Sequence, residues 1–127
     1  MKLLLDTHAF LWGIGSRNLS ASAQAAFLDP SNELYLSSVS YWEICIKATI
    51  GKLTLTANWQ QEFDEEITIN NIKWLPLEKA HCKKIISLPM LHNDPFDRLI
   101  IAQALCEDLT LMTADSNIQK YKVTTLW

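Results

Sequence analysis

The sequence predicts an α/β protein in three layers, with a central parallel sheet between helices. Two observations carry that expectation. Five short apolar runs, each closed by polar or turn-forming residues, have the length of strands buried on both faces. Longer segments lie between them with apolar residues at helical spacing, and such alternation favours right-handed crossovers. At 127 residues the chain is expected to fold as one domain, burying roughly two thirds of its unfolded surface.

Leu3-Leu4-Leu5 reads as the first strand, ended by Asp6, and "THAFLW" then starts a helix. "SAQAAFL" behind Ser20 is the next helix, and "ELYLSSV" the second strand, with Leu34 and Leu36 alternating against their neighbours. "SYWEICIKATIGKL" is expected to be helical from Ser40 to a stop at Gly51. In "NWQQEFDEEI", Trp59, Phe63 and Ile67 fall on one face. "NIKWLPL" is the third strand, stopped by Pro76. Two helices follow, "EKAHCKKII" and "PFDRLIIAQALCE", the second with Phe96, Leu99, Ile100 and Ala104 on one face. "LTLMTAD" and "KVTTLW" are the last strands, and Trp127 is placed to pin the end.

Fourteen acids against eleven bases give a net charge of -3. Bulk charge therefore does not hold this chain to nucleic acid; a polyanion would need a local basic rim or a bound metal. No apolar stretch has the length of a membrane span, and Asp6 and His8 interrupt the N-terminal leucines too early for a signal peptide. The expectation is a cytoplasmic protein with no membrane partner. Cys45, Cys82 and Cys106 are odd in number and lack metal-type spacing. They read as small hydrophobes in a reducing compartment.

Four carboxylates stand out, although each has a local explanation. Asp6 fits an N-cap. Ser40-x-x-Glu43 fits a capping box, with Glu43 reaching back to the Ser40 amide. Asp94-Pro95-x-Asp97 fits a cap, a first-position proline and a first-turn acid. Asp115 in "TADSN" fits a turn.

Their placement is less ordinary. In an open α/β sheet, ligands bind beyond the carboxyl ends of the strands. Asp6 ends the first strand, Glu43 opens the helix after the second, Asp97 opens a helix leading to the fourth, and Asp115 follows the fourth. All four are expected on one rim. Two like charges about 4–5 Å apart repel by roughly 3–4 kcal/mol at an effective dielectric near 20. Such a cluster calls for a cation, and oxygen-only donors suit Mg²⁺ or Mn²⁺ better than Zn²⁺.

"LLLDTHAFLW", "SVSYWEICIKATIGKL", "HNDPFDRLIIAQAL" and "LTLMTADSNIQKY" resemble, in order and spacing, the signatures of PIN-domain ribonucleases, and most of all the toxins of VapBC-type toxin–antitoxin pairs. The resemblance spans essentially the whole chain, so residues 1–127 are expected to form a single PIN domain. It implies a sheet of order 3-2-1-4-5 and places the family acids on Asp6, Glu43, Asp97 and Asp115, with Thr113 as the hydroxyl near the last. Asp94 is then mainly a cap, and Glu43 has room for both roles. It further implies an endoribonuclease using Mg²⁺ or Mn²⁺ to activate water, RNA as substrate, a homodimer, and an antitoxin partner that enters the active-site groove.

His8 and His92 flank the acidic motifs and are candidate substrate contacts, with an orienting or merely solvated side chain as the alternative, whereas His8, His81 and His92 are too scattered for a zinc site. Lys47 is placed for an ion pair with Glu43. Lys52, Arg98, Lys120 and Lys122 are candidates for a phosphate-binding rim, headed by Arg98 beside Asp97. Phe10 and Trp12 fit either the core or a groove for a partner helix. Two rivals are a PIN-fold nuclease for housekeeping RNA processing without an antitoxin, and a non-catalytic binding module on that fold. A phospho-acceptor receiver domain would need an acid pair after the first strand, an acceptor Asp after the third and a Lys after the fifth. Here Asp6 stands alone, and "PLE" and "VTTLW" occupy the other positions.

Overall fold

A computed structural model describes residues 1–15 and 18–127. Five strands, β1 (Lys2–Leu5), β2 (Glu33–Ser37), β3 (Lys73–Leu75), β4 (Thr110–Met112) and β5 (Thr125–Leu126), form one all-parallel sheet in the order β3-β2-β1-β4-β5. This is the order implied by the sequence resemblance. β1 is central, and its register sets Leu4 between Tyr35 and Leu111, and Leu5 between Leu36 and Met112.

The unbroken leucines of β1 follow from that position. Side chains alternate across a strand, so a strand covered on both sides must be apolar at every step. Leu3 and Leu5 enter one core with Phe10, Phe27, Leu36, Ile44 and Phe63. Leu4 enters the other with Val39, Ile101, Ala104, Leu111 and Ile118. Each leucine so buried contributes about 1.5–3 kcal/mol relative to exposure. The first core is roofed by α1 (Thr7–Gly15), α2 (Ala21–Leu28) and α4 (Trp59–Ile69), and the second by α6 (Pro95–Glu107) and α7 (Ser116–Gln119). α5 (Lys79–Ile86) packs along α6, and α3 (Ser38–Thr49) serves both layers through Ile44 and Val39.

Gly13 lies where α1 meets α2. A Cβ there would run into the buried ring of Phe27, so the glycine permits the close approach. Gly51, with φ +77°, takes the left-handed conformation just past α3, as its predicted stop requires. Trp127 packs on Trp12 with ring centroids 5.7 Å apart, which pins the C-terminus.

Two expectations are corrected. α3 begins at Ser38, not Ser40; its cap is Ser37, whose hydroxyl accepts the Val39 amide at 3.0 Å. The cysteines are free thiols as expected, yet Cys82 and Cys106 are exposed and only Cys45 is half-buried.

Candidate active site

Parallel strands deliver their carboxyl ends to one edge, and the helices that begin there turn their N-termini toward it. Asp6 directly follows β1. Its Oδ1 accepts the Ala9 amide at 2.7 Å, so it caps α1 as expected. It is 7% exposed, and burial holds its pKa above the ordinary carboxylate value against the opposing hydrogen bonds of Thr113 and Ala9; the Asp115 charge adds to the rise. Asp115 follows β4 and caps α7, its Oδ1 accepting the Asn117 amide at 2.8 Å. Thr113 is fully buried between the two acids, on the side chain of Asp6 and, through its hydroxyl oxygen, on the Asp115 amide at 3.0 Å.

Asp97 stands in the first turn of α6. Asp94 is the cap, its Oδ1 accepting the amides of Phe96 (2.9 Å) and Asp97 (3.2 Å), with Pro95 at the first helical position. Burial, then the Asp94 charge, and more weakly that of Asp115, push Asp97 up to about 6. Its Oδ2 meets Nε2 of His92 at 3.2 Å.

Glu43 is buried and projects from α3 toward the same edge. Thr7 donates its hydroxyl to Oε1, and Lys47 pairs with Oε2, each at 2.5 Å. The ammonium also lies within reach of the Asp94 and Asp97 charges; its hydrogen bond to Glu43 is the main cause of a raised lysine pKa. The capping-box reading of Glu43 is overturned. Ser37, not Ser40, caps α3, and both Glu43 oxygens are taken by Thr7 and Lys47. The Ser40 hydroxyl is the one buried side-chain polar atom without a partner among the described residues.

The structure thus brings Asp6, Glu43, Asp97 and Asp115 to one edge, linked through Thr7, Thr113 and Lys47. Among the described residues no three acidic, histidine or cysteine side chains are already gathered into a coordination shell. In kind the donors fit a hard divalent ion: all oxygen, acidic, and partly desolvated.

Arg98 does not join a phosphate rim. It is 6% exposed, and its Nη1 donates to the Pro89 carbonyl (2.8 Å) and the Tyr121 hydroxyl (3.0 Å). A helix turns by 100° per residue, so the neighbour of a rim acid can face the interior. Lys52, Lys120 and Lys122 are exposed, the last two beside Lys84 around a depression of about 460 Å³. His8 is exposed next to Asp6 and tilts against Trp12 at 5.3 Å. Phe10 belongs to the core, whereas Trp12 lines a groove of about 780 Å³ with His8, Leu11, Leu53, Leu55 and Glu66.

Sequence reasoning missed the buried Gln103. Its Oε1 accepts the Ser37 hydroxyl at 2.5 Å, and its Nε2 donates to the Pro76 carbonyl at 3.4 Å. One polar residue inside "LIIAQAL" was the available signal. It missed Thr7 and Tyr121 for want of any, since neither departs from what its own segment would hold.

A family model described as the PIN domain matches residues 3–123. Ribonuclease VapC22 of Mycobacterium tuberculosis is 26% identical over 125 residues, covering 94% of this chain and 92% of that protein. Among solved structures, VapBC2 from Rickettsia felis bound to a promoter DNA fragment is 17% identical and covers 99% of this chain and 98% of that one, at a TM-score of 0.76. FitAcB from Neisseria gonorrhoeae is 18% identical over 98% of this chain and 96% of that one, at 0.68. At such identities the structural likeness speaks for the fold.

Proposed function

The chain belongs to the PIN-domain family, and from that premise we propose that it is a metal-dependent endoribonuclease and the toxin of a toxin–antitoxin pair. The observation that carries the reading is the meeting of Asp6, Glu43, Asp97 and Asp115 at the carboxyl edge of the sheet, in a chain whose relative VapC22 bears the name ribonuclease.

These four residues would hold Mg²⁺ or Mn²⁺. When bound, the ion supplies a water of lowered pKa and offsets charge in the in-line phosphoryl transition state. The protein's own contribution is to keep the acids in place. Caps at Asp6, Asp94 and Asp115 anchor three helix starts, and Thr7 and Thr113 hold Glu43 and Asp6 through their hydroxyls. Hydrolysis by water makes no use of the ribose 2′-hydroxyl and leaves 5′-phosphate and 3′-hydroxyl ends. His8, beside Asp6, is the candidate contact with RNA.

The groove that His8 lines, with Trp12, Leu11, Leu53 and Leu55 on its walls and Glu62, Glu65 and Glu66 beside them, suits an antitoxin segment that offers an apolar face. The structural neighbours are toxin–antitoxin complexes, which supports the same partner. A homodimer belongs to the same reading. No helix among the described residues is long and apolar enough to cross a membrane.

The test is cleavage of single-stranded RNA by the purified protein with Mn²⁺, with EDTA, and with an Asp6→Asn variant. Cleavage confined to the metal-supplied wild type is expected. Undiminished cleavage in EDTA would overturn the mechanism. Growth arrest on induction, relieved by co-expressing the adjacent small reading frame, tests the toxin role against a housekeeping nuclease.

A further inference from the structure

Of the segment His92 to Arg98, the proposed chemistry uses only Asp94 as a cap and Asp97 as a ligand. The structure gives His92 and Arg98 connected positions. Arg98 Nη1 donates to the Tyr121 hydroxyl at 3.0 Å, that hydroxyl lies 2.8 Å from Nδ1 of His92, and Nε2 of His92 lies 3.2 Å from Oδ2 of Asp97.

The carboxylate end sets the direction of the bonds through the ring. A carboxylate only accepts, so Nε2 of a neutral His92 carries the ring proton and donates to Asp97. Nδ1 is then left to accept from the Tyr121 hydroxyl, whose oxygen receives from Arg98, a group that only donates. The donor end is anchored as well, because the same Nη1 also donates to the Pro89 carbonyl at 2.8 Å and Arg98 is buried. The rings pack tightly enough to keep the order: His92 meets Tyr121 edge-on at 5.4 Å, and the guanidinium lies 6.0 Å from the Tyr121 centroid.

We propose that His92 is a positioning residue for Asp97, its tautomer held from the interior by the Tyr121 hydroxyl, which Arg98 in turn anchors. The inference rests on the metal-site reading of Asp97 and adds to it. A carboxylate in the first turn of a helix has several rotamers. Asp94 holds the Asp97 backbone amide, and His92 holds one side-chain oxygen. Among the described residues, Oδ1 of Asp97 makes no hydrogen bond, and it is the oxygen left to a cation. Partners of this kind usually change metal affinity or activity by about 10–100-fold when removed.

Tyr121→Phe is the informative variant, because it keeps the ring in the core and removes only the hydroxyl. In the metal-free wild type, ¹⁵N NMR should find the His92 proton on Nε2, and in Tyr121→Phe a mixture of tautomers. By calorimetry, Mn²⁺ affinity should fall about 10-fold, with cleavage reduced at low Mn²⁺ and restored at high Mn²⁺. His92→Gln, which keeps an N–H donor, should retain more affinity than His92→Leu. A wild-type ring protonated on Nδ1, or a folded Tyr121→Phe with unchanged Mn²⁺ affinity, would overturn the proposal. If the wild type itself binds no Mn²⁺, the metal reading fails, and the NMR result still judges the hydrogen-bond chain.

Discussion

Thr7 and Glu43 are bound hydroxyl to carboxylate at 2.5 Å, across 36 residues of sequence. The first residue of α1 thereby holds the acid of α3 at the sheet edge, beside Asp6. Lys47 takes the other oxygen of Glu43. Both oxygens are engaged, and neither serves a helix cap.

Glu43→Gln separates the charge of this residue from its shape. Gln keeps an oxygen for Thr7 and loses the ion pair with Lys47, whose ammonium is one-third exposed and stays within reach of the Asp94 and Asp97 charges, so no uncompensated charge is left buried. Stability should change by no more than about 1 kcal/mol, while Mn²⁺-dependent RNA cleavage falls by orders of magnitude. Denaturant melts alongside cleavage assays check this, and near-wild-type cleavage would remove Glu43 from the ligand set.

Asp6→Asn should abolish cleavage while leaving the metal-free protein as stable as the wild type or more so. Asn caps a helix about as well as Asp. The substitution also removes a buried charge that Asp115 repels. A large drop in melting temperature, measured in EDTA, would assign Asp6 a purely structural role.

The raised pKa of Asp97 fixes the sign of a pH effect. Its folded value is about 6 against an ordinary 3.8. Between those values the folded state holds more protons than the unfolded state, so stability falls as pH rises through the interval. Asp6, raised in the same direction, adds to the loss. In EDTA, Asp97→Asn should therefore gain stability relative to the wild type between pH 4 and pH 6. Urea midpoints at these two pH values measure it, and a constant difference would contradict the shift.

Gly13→Ala sets helix propensity against packing. In an open helix interior Ala would gain about 1 kcal/mol over Gly. Here the added methyl meets the Phe27 ring, which is itself buried against the core. Overpacking of this kind costs about 1–3 kcal/mol, so a net destabilisation is expected in thermal melts. A stabilised variant would mean that the ring moves aside freely.

Much of this architecture was legible in order along the chain. β1 reads directly from three leucines because a strand covered on both faces has no polar position. α6 reads from Asp94-Pro95, since cap, first-turn proline and apolar face are all local. The positions of Asp6, Asp97 and Asp115 at strand ends and helix starts were equally local. The start of α3 was misread because Ser37, Ser38 and Ser40 are all plausible caps, and only the end of β2 selects among them.

The sequence by itself determined the periodicities, the turns and the points where acids interrupt apolar runs, because these depend on neighbours within a few residues. Tertiary structure alone decided which side chains the polar residues meet. Arg98 turned inward to Tyr121 and Pro89 instead of outward to a phosphate rim, and Glu43 went to Thr7 instead of Ser40. Gln103 found Ser37 across 66 residues. The physical reason is that a buried donor or acceptor must be satisfied by whatever the fold brings to it. That partner is set by the packing of distant elements, which no local pattern encodes.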